Sequence, residues 1–524
     1  MALSRRGFLR GASGAMGFVG AAAAMNKIFG SEAFAATLSA YAGYRALVAV
    51  FLLGGNDTNN VLVPLTSNGT TGPYDRYAQA RPAVKLTTAE LLPVSPAGLA
   101  ANSYGIHFKM PKVKALFAAN RAAFVCNAGP LVLPLDKATY TSTPSARPEN
   151  LFSHSDQQDA WASAIANPVS ITLPAALVGK GPTGWGGRFA DRIDGLNAGT
   201  YPEVISFGGK PLLCVGVERS PLSVGGTGAL GLRITSDAAF DTLRDGALEE
   251  ILDITNGTRP EEAYGSVAMA AITYAEQRTS ARDDAWAMLS AATRIAINTA
   301  FSPANAVPEP LDGALGLMKD GSILGQLYQI VRDIIAGATA APDGLGQKRQ
   351  VFSAGLGGFD THSGQRAAQD ALLAQLDTAI GAFQEAMDAL AGSSNFGATP
   401  PQATLFTMSD FGRTLVENSD GGTDHAWGSH VLVVGGSVVG GKLYGTFPNL
   451  DMSGGGAANN DTTDSRGRWI PTVSVEQVAN TLAYWMGATA ASDRDYMFPN
   501  LLPYVTASPT GSIGKQQRLG FMTA

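Results

Sequence analysis

Five unbroken apolar runs constrain this chain more than any other feature. "RALVAVFLLGG" (Arg45–Gly55), "AAFVCNAGP" (Ala122–Pro130), "QVFSAGLGG" (Gln350–Gly358), "ATLFTMSD" (Ala403–Asp410) and "HVLVVGGSVVGG" (His430–Gly441) lack polar alternation and close on small or polar residues. Such runs read as strands buried on both faces. Between them lie helical patterns. The clearest spans Gln365 to Leu390, where Leu372, Leu376, Ile380, Phe383, Met387 and Leu390 recur at spacings of three and four, with Ser363 and Gly392 as candidate caps. "ILGQLYQIVRDIIAG" and "VEQVANTLAYWMG" are further amphipathic stretches. Buried strands alternating with helices predict an α/β fold with a mostly parallel, doubly wound sheet. Ligands in such sheets sit beyond the carboxyl ends of the strands.

The 524 residues are 45% hydrophobic and 15% charged, which suits a core-forming chain. A net charge of −6 without a long basic run argues against a nucleic-acid partner. Two cysteines, Cys126 and Cys214, are too few for a disulfide scaffold or a thiolate metal site; one bridge or two buried thiols are both compatible with the sequence. The first 35 residues combine a basic start, an Ala/Gly-rich stretch and Ala33-Phe34-Ala35, the order of an export signal. Arg5 and Arg6 before Gly7, Phe8 and Leu9 fit its twin-arginine form. The expectation is a mature chain from about Ala36, carried by the twin-arginine export machinery to the periplasm or beyond. No later run is long enough for stable membrane insertion. Residues 36–524 read as one domain, with a mainly helical insertion at about 215–345. The Gly-rich stretch from Gly199 to Ile234 reads as a hairpin insertion.

Four stretches join a strand end or helix start to metal-capable side chains. They are "FLLGGNDTNN" with Asp57, "ENLFSHSDQQDAW" with Ser153, His154 and Ser155, "GLGGFDTHSGQ" with Asp360 and His362, and "MSDFGRTLVENSDGGTDHAWGSH" with Asp410, Arg413, Asp424, His425 and His430. Four of the five histidines lie within such stretches; His107 reads as structural. Imidazole and carboxylate donors without thiolate suit one or two divalent ions of Zn, Mn, Mg or Ca. Two ions a few ångströms apart would clamp the oxygens of a phosphate or sulfate ester displacement.

These motifs, with "FSHSDQQDAW", "SDFGRT" and "GGTDHAWGSHVLVVGGSVVGGKLYG", resemble the exported bacterial domain-of-unknown-function family 1501 over about Tyr44 to Trp485. That family is related to the alkaline phosphatase and arylsulfatase superfamily. The resemblance implies an alkaline phosphatase-like fold, a mostly parallel sheet sandwiched between helices, and a two-metal centre. It implies Asp360, His362 and His425 on one ion, and Asp57 and Asp410 on the other. Phe411 stands where the superfamily usually has His, which makes the second site richer in oxygen unless His154 compensates. His154, Asp424 and His430 are candidates to orient liganding imidazoles. Ser153, then Ser155, are the candidate nucleophiles at a helix N-terminus, and Arg413 a candidate oxyanion partner. The expected function is an exported metal-dependent hydrolase of a small-molecule or polymer phosphate or sulfate ester. The alternative is a non-catalytic metal-binding protein of the cell envelope on the same fold.

Overall fold

A computed structural model describes residues 43–166, 173–193, 195–197, 201–209, 211–225, 238–252, 259–313, 315–501, 503–506 and 517–523. The export segment expected over residues 1–35 lies outside them. The described strands are β1 (Arg45–Leu53), β2 (Leu62–Pro64), β3 (Leu91–Val94), β4 (Tyr104–His107), β5 (Ala122–Gly129), β6 (Val204–Ser206), β7 (Leu222–Ser223), β8 (Arg349–Gly357), β9 (Gln402–Ser409), β10 (Ser429–Gly435), β11 (Leu443–Gly445) and β12 (Val473–Ser474). All five apolar runs are strands of one sheet, ordered β11-β5-β10-β9-β1-β8-β6-β7, with β12 also on β5. A small antiparallel sheet, β2-β4-β3, stands beside it.

The main sheet is mixed but mostly parallel. β1 pairs in parallel with β8 and β9, in register from Arg45↔Arg349 and Arg45↔Gln402. β10 runs antiparallel to both of its neighbours, β9 and β5. β5 therefore points the same way as β1, and β10 alone among these central strands is reversed. The carboxyl ends of β1, β5, β8 and β9 share an edge with the amino end of β10.

The principal helices are α1 (His154–Ser163), α2 (Trp185–Ile193), α3 (Ala238–Leu252), α4 (Arg259–Met288), α5 (Ala291–Phe301), α6 (Ile323–Ala338), α7 (Gln365–Ala391) and α8 (Val475–Trp485). Alternate residues of β1 feed two cores. Val48 and Val50 pack with Ile330 and Ile334 of α6 and Ile380 and Phe383 of α7. Leu47 and Ala49 pack with Phe189 of α2 and Leu482 of α8. Helices on both faces explain why the strand sequences carry no polar alternation. No helix of the described residues is long and apolar enough to cross a membrane.

Three local expectations change. Among the described residues of the Gly199–Ile234 stretch the strands do not form a hairpin: β6 and β7 pair in parallel and extend the edge beyond β8. A parallel pair needs a crossover between its strands, here containing the short turn Leu212–Cys214; residues 226–234 lie outside the described range. The cap of α7 is Gly364, with φ 56°, in place of Ser363. Cys126 and Cys214 are both free, buried thiols.

Glu476, in the first turn of α8, is fully enclosed; one carboxyl oxygen accepts from Asn500 Nδ2 at 2.9 Å. Burial pushes its pKa up from 4.5 to about 7, against the hydrogen bonds from Asn500 and Ser474. Between those values the folded protein keeps a proton that the unfolded chain has released. Stability therefore falls as pH rises through that window and stays lowered above it. Glu476→Gln is expected to stabilise the protein at pH 8 by up to roughly 3 kcal/mol, and to give no gain near pH 4.5. Chemical denaturation at the two pH values checks this.

Candidate metal centre

Each cluster residue arrives at the shared sheet edge for a topological reason. Asp360 and His362 follow β8, and Asp410 follows β9. His154 is the first residue of α1, on the long excursion after β5. His425 and Asp424 precede the reversed strand β10, so a residue upstream of a strand reaches the place where the others lie downstream. The chain leaving β9 pairs back on this entry: Gly412 N donates to Trp427 O at 3.0 Å, Ala426 N to Gly412 O at 2.9 Å, and Thr414 N to Asp424 O at 3.0 Å. Gly422 allows the loop to press on the β8 exit, since a Cβ there would stand 2.2 Å from the His362 carbonyl carbon.

Three imidazoles meet at Asp360. His362 Nε2 and His425 Nε2 lie 3.1 and 3.3 Å from Asp360 Oδ1, and His154 Nε2 lies 3.5 Å from Oδ2. The two nitrogens of His362 and His425 are 3.0 Å apart. Each Nδ1 faces an oxygen acceptor: Asp410 Oδ2 for His154 at 2.5 Å, Asp424 Oδ1 for His362 at 3.3 Å, and the Phe152 carbonyl for His425 at 2.8 Å. With a ring proton on each Nδ1, facing those acceptors, three Nε2 lone pairs would converge on a carboxylate. Burial holds His425 below the ordinary imidazole value, assisted by the charge of Arg413, so the neutral ring prevails there. Desolvation acts to raise Asp360, but the hydrogen bond and charge of Arg413, with His425 and His362, bring it below the usual carboxylate value. Lone pairs facing one another in this way repel unless a cation or a proton stands between them. A neutral histidine donating its other nitrogen to a carboxylate or carbonyl is the arrangement of metal-ligating imidazoles. Among the described residues His154, Asp360 and His425 form a group able to hold an ion, with His362 beside them.

The surroundings fix this geometry. Phe411 is completely buried, with its ring 4.9 Å from that of His154 and 4.5 Å from that of His425. The fit requires Gly55: its φ is +84°, and a Cβ would stand 2.6 Å from the Phe411 ring. Asp424 also accepts from Arg466 at 2.6 Å and Asn418 at 3.1 Å. Asp424→Ala is expected to free the His362 ring and weaken metal binding about 10–100-fold. Competition with a chelator of known affinity measures it.

Other predicted site residues fall elsewhere. Asp57 is buried, and its oxygens accept from Arg81 Nη1 at 2.7 Å, Gln365 Nε2 at 2.5 Å, and Asn59 N and Nδ2 at 3.2 and 3.1 Å. Asp410 is also buried and is held by His154, Gln158 Nε2 at 3.1 Å and Gly54 N at 3.2 Å. It orients His154 while His154 turns Nε2 to the cluster, so these two exchange the expected parts of ligand and orienting partner. Arg413 has no exposed surface; it donates to the carbonyls of Gly54, Gly55, Phe359 and Thr423 and to Asp360. That makes it a support for Asp360, with its fork enclosed instead of presented as an oxyanion contact. Ser153 stands at the N-cap position of α1 without a side-chain bond to the helix backbone; its hydroxyl donates to Asp156 at 2.5 Å and lies 3.2 Å from that of Ser155. His430 is buried, its Nδ1 accepting from Asn127 N at 3.1 Å, away from the exposed cluster. His107 is buried, with Nδ1 accepting from Lys109 N and Nε2 3.0 Å from Asp370.

Sequence reasoning missed Arg466, Arg468 and the Phe152 carbonyl. Arg468 donates to the His425 carbonyl at 2.8 Å and lies over the Phe152 ring at 4.9 Å. "SRGRW" carries no spacing signal, because these contacts depend on where the chain after β11 returns. No curated protein matches the chain. Residues 343–463, which carry Asp360, His362, Asp410, Arg413, Asp424 and His425, match the model of the family described as "Protein of unknown function (DUF1501)", so this part of the chain is similar to that family.

Proposed function

We propose that this protein is an exported metal-dependent hydrolase of a phosphate or sulfate ester, built on an alkaline phosphatase-like version of its α/β fold. The observation that carries this reading is the convergence of three Nε2 atoms on Asp360 at a solvent-open strand edge, with side-chain exposures of 49% for Asp360 and 46% for His362. A divalent cation held there would polarise an ester oxygen and acidify a water molecule. Asp360 pairs with Arg413, Asp424 with Arg466 and Asp410 with His154, so three carboxylates stand with two guanidinium groups in this shell. That shell has one negative charge in excess, which a divalent cation turns into one positive charge, suited to an anionic ester. The N-terminus of α1 adds its positive dipole end beside His154.

The test is metal analysis of protein purified after export, with hydrolysis of 4-nitrophenyl phosphate and sulfate before and after chelation. Expected are bound metal and an ester hydrolysis that chelation removes and added metal restores. Metal-free protein of unchanged stability would overturn the reading.

A non-catalytic metal-binding role on the same fold is the second reading. It is favoured by Ser153, whose hydroxyl is engaged by Asp156. Bound metal without turnover would select it. In the catalytic reading, Ser153→Ala is expected to retain turnover, and unchanged activity there would remove this hydroxyl as the nucleophile.

A further inference from the structure

The geometry points to a mononuclear centre, with His154, His362, His425 and Asp360 as its four protein ligands and the Arg81 guanidinium supplying the second positive charge that a two-metal site would obtain from another ion. This rests on the metal reading above and narrows it: the water or ester of that reading would enter as a fifth ligand. Bonds of about 2.0–2.1 Å in a tetrahedral zinc-type site place ligand atoms about 3.3 Å apart. Three separations, 3.0, 3.1 and 3.3 Å among His362, His425 and Asp360 Oδ1, and a fourth of 3.5 Å from His154 to Asp360 Oδ2, lie near that edge length. Three imidazoles and one carboxylate favour a transition ion over Mg²⁺ or Ca²⁺, which take oxygen ligands.

The residues for a second ion do not fit one. Asp57 already receives Arg81, Gln365 and both Asn59 donors on two oxygens, filling its acceptor capacity. Asp410 receives His154, Gln158 and the Gly54 amide. Phe411 puts an aromatic face where a ligand would be needed. Arg81 is itself fixed: beyond Asp57 it donates to Asn60 Oδ1 at 2.7 Å, Leu415 O at 2.9 Å and Thr414 O at 2.8 Å. A guanidinium so placed neutralises Asp57 without the ligand exchange that an ion would bring.

The experiment is a titration of the chelator-stripped full chain with Zn²⁺, Mg²⁺ and Ca²⁺, read by calorimetry and by elemental analysis after dialysis. Expected are one Zn²⁺ per chain and an affinity for Mg²⁺ and Ca²⁺ at least 100-fold weaker. His362→Ala, at an exposed position, is expected to weaken Zn²⁺ binding at least 100-fold with an unchanged circular dichroism spectrum. Two ions per chain, tight Mg²⁺ or Ca²⁺ binding, or undiminished affinity in His362→Ala would overturn the mononuclear assignment while leaving a metal centre in place. No bound ion of any kind would overturn both.

Discussion

Asp57→Ala is expected to cost about 3–5 kcal/mol of folding stability, the range for removing one partner of a buried ion pair. The pair with Arg81 is enclosed, with side-chain exposures of 1% and 0%. Removing the carboxylate leaves a buried guanidinium whose charge is unopposed and strips the acceptor from Gln365 and Asn59. Gln365 also accepts from Thr423, and Arg81 holds the carbonyls of Thr414 and Leu415, so the loss spreads to the segments carrying Asp410, Asp424 and His425. Urea denaturation followed by far-UV circular dichroism measures the change. Stability within 1 kcal/mol of the parent would show that the pair is relaxed by solvent. Metal affinity, measured under conditions where the variant remains folded, is expected to change far less than stability.

Asp360→Asn is expected to do the reverse. Asp360 is half exposed, and Arg413 keeps four backbone carbonyls when the carboxylate becomes an amide, so the fold should survive with little change. The converging lone pairs lose their only negatively charged member. Metal affinity should fall by more than the roughly 10–100-fold typical of groups that merely orient a ligand. Calorimetry with Zn²⁺ checks the affinity, and thermal melts of the metal-free proteins check the fold. The pair of variants separates two roles of aspartate in this region: one carboxylate stabilises the scaffold, the other faces solvent and the imidazoles.

Much of the fold was legible because it depends on periodicity. The five apolar runs are strands, and the Leu372–Leu390 pattern is α7, since a two-sided sheet and an amphipathic helix each impose a local rhythm. The grouping of Asp360, His362 and His425 was implied by the resemblance of their motifs to a family, and the strand ends alone did not single it out. The exchange of parts between His154 and Asp410 was not legible, because it turns on which ring nitrogen faces inward. Nor was the capture of Asp57: Arg81 lies 24 residues away and Gln365 lies 308, and nothing local marks either as its partner. The parallel pairing of β6 and β7 was hidden for a similar reason, since Gly- and Pro-rich composition signals turns without specifying strand direction.

The reversal of β10 has a consequence for the order in which the molecule is assembled. The contact of Phe152 with His425 spans 273 residues, and that of His154 with Asp410 spans 256. Contacts of that separation carry the loop-closure entropy of about half of the chain, and no contiguous fragment ending before His425 contains the cluster. An ion that needs all three imidazoles finds its site only once β5, β8, β9 and β10 lie side by side. Metal uptake would then follow completion of the sheet and serve as a chemical record that the chain has finished folding.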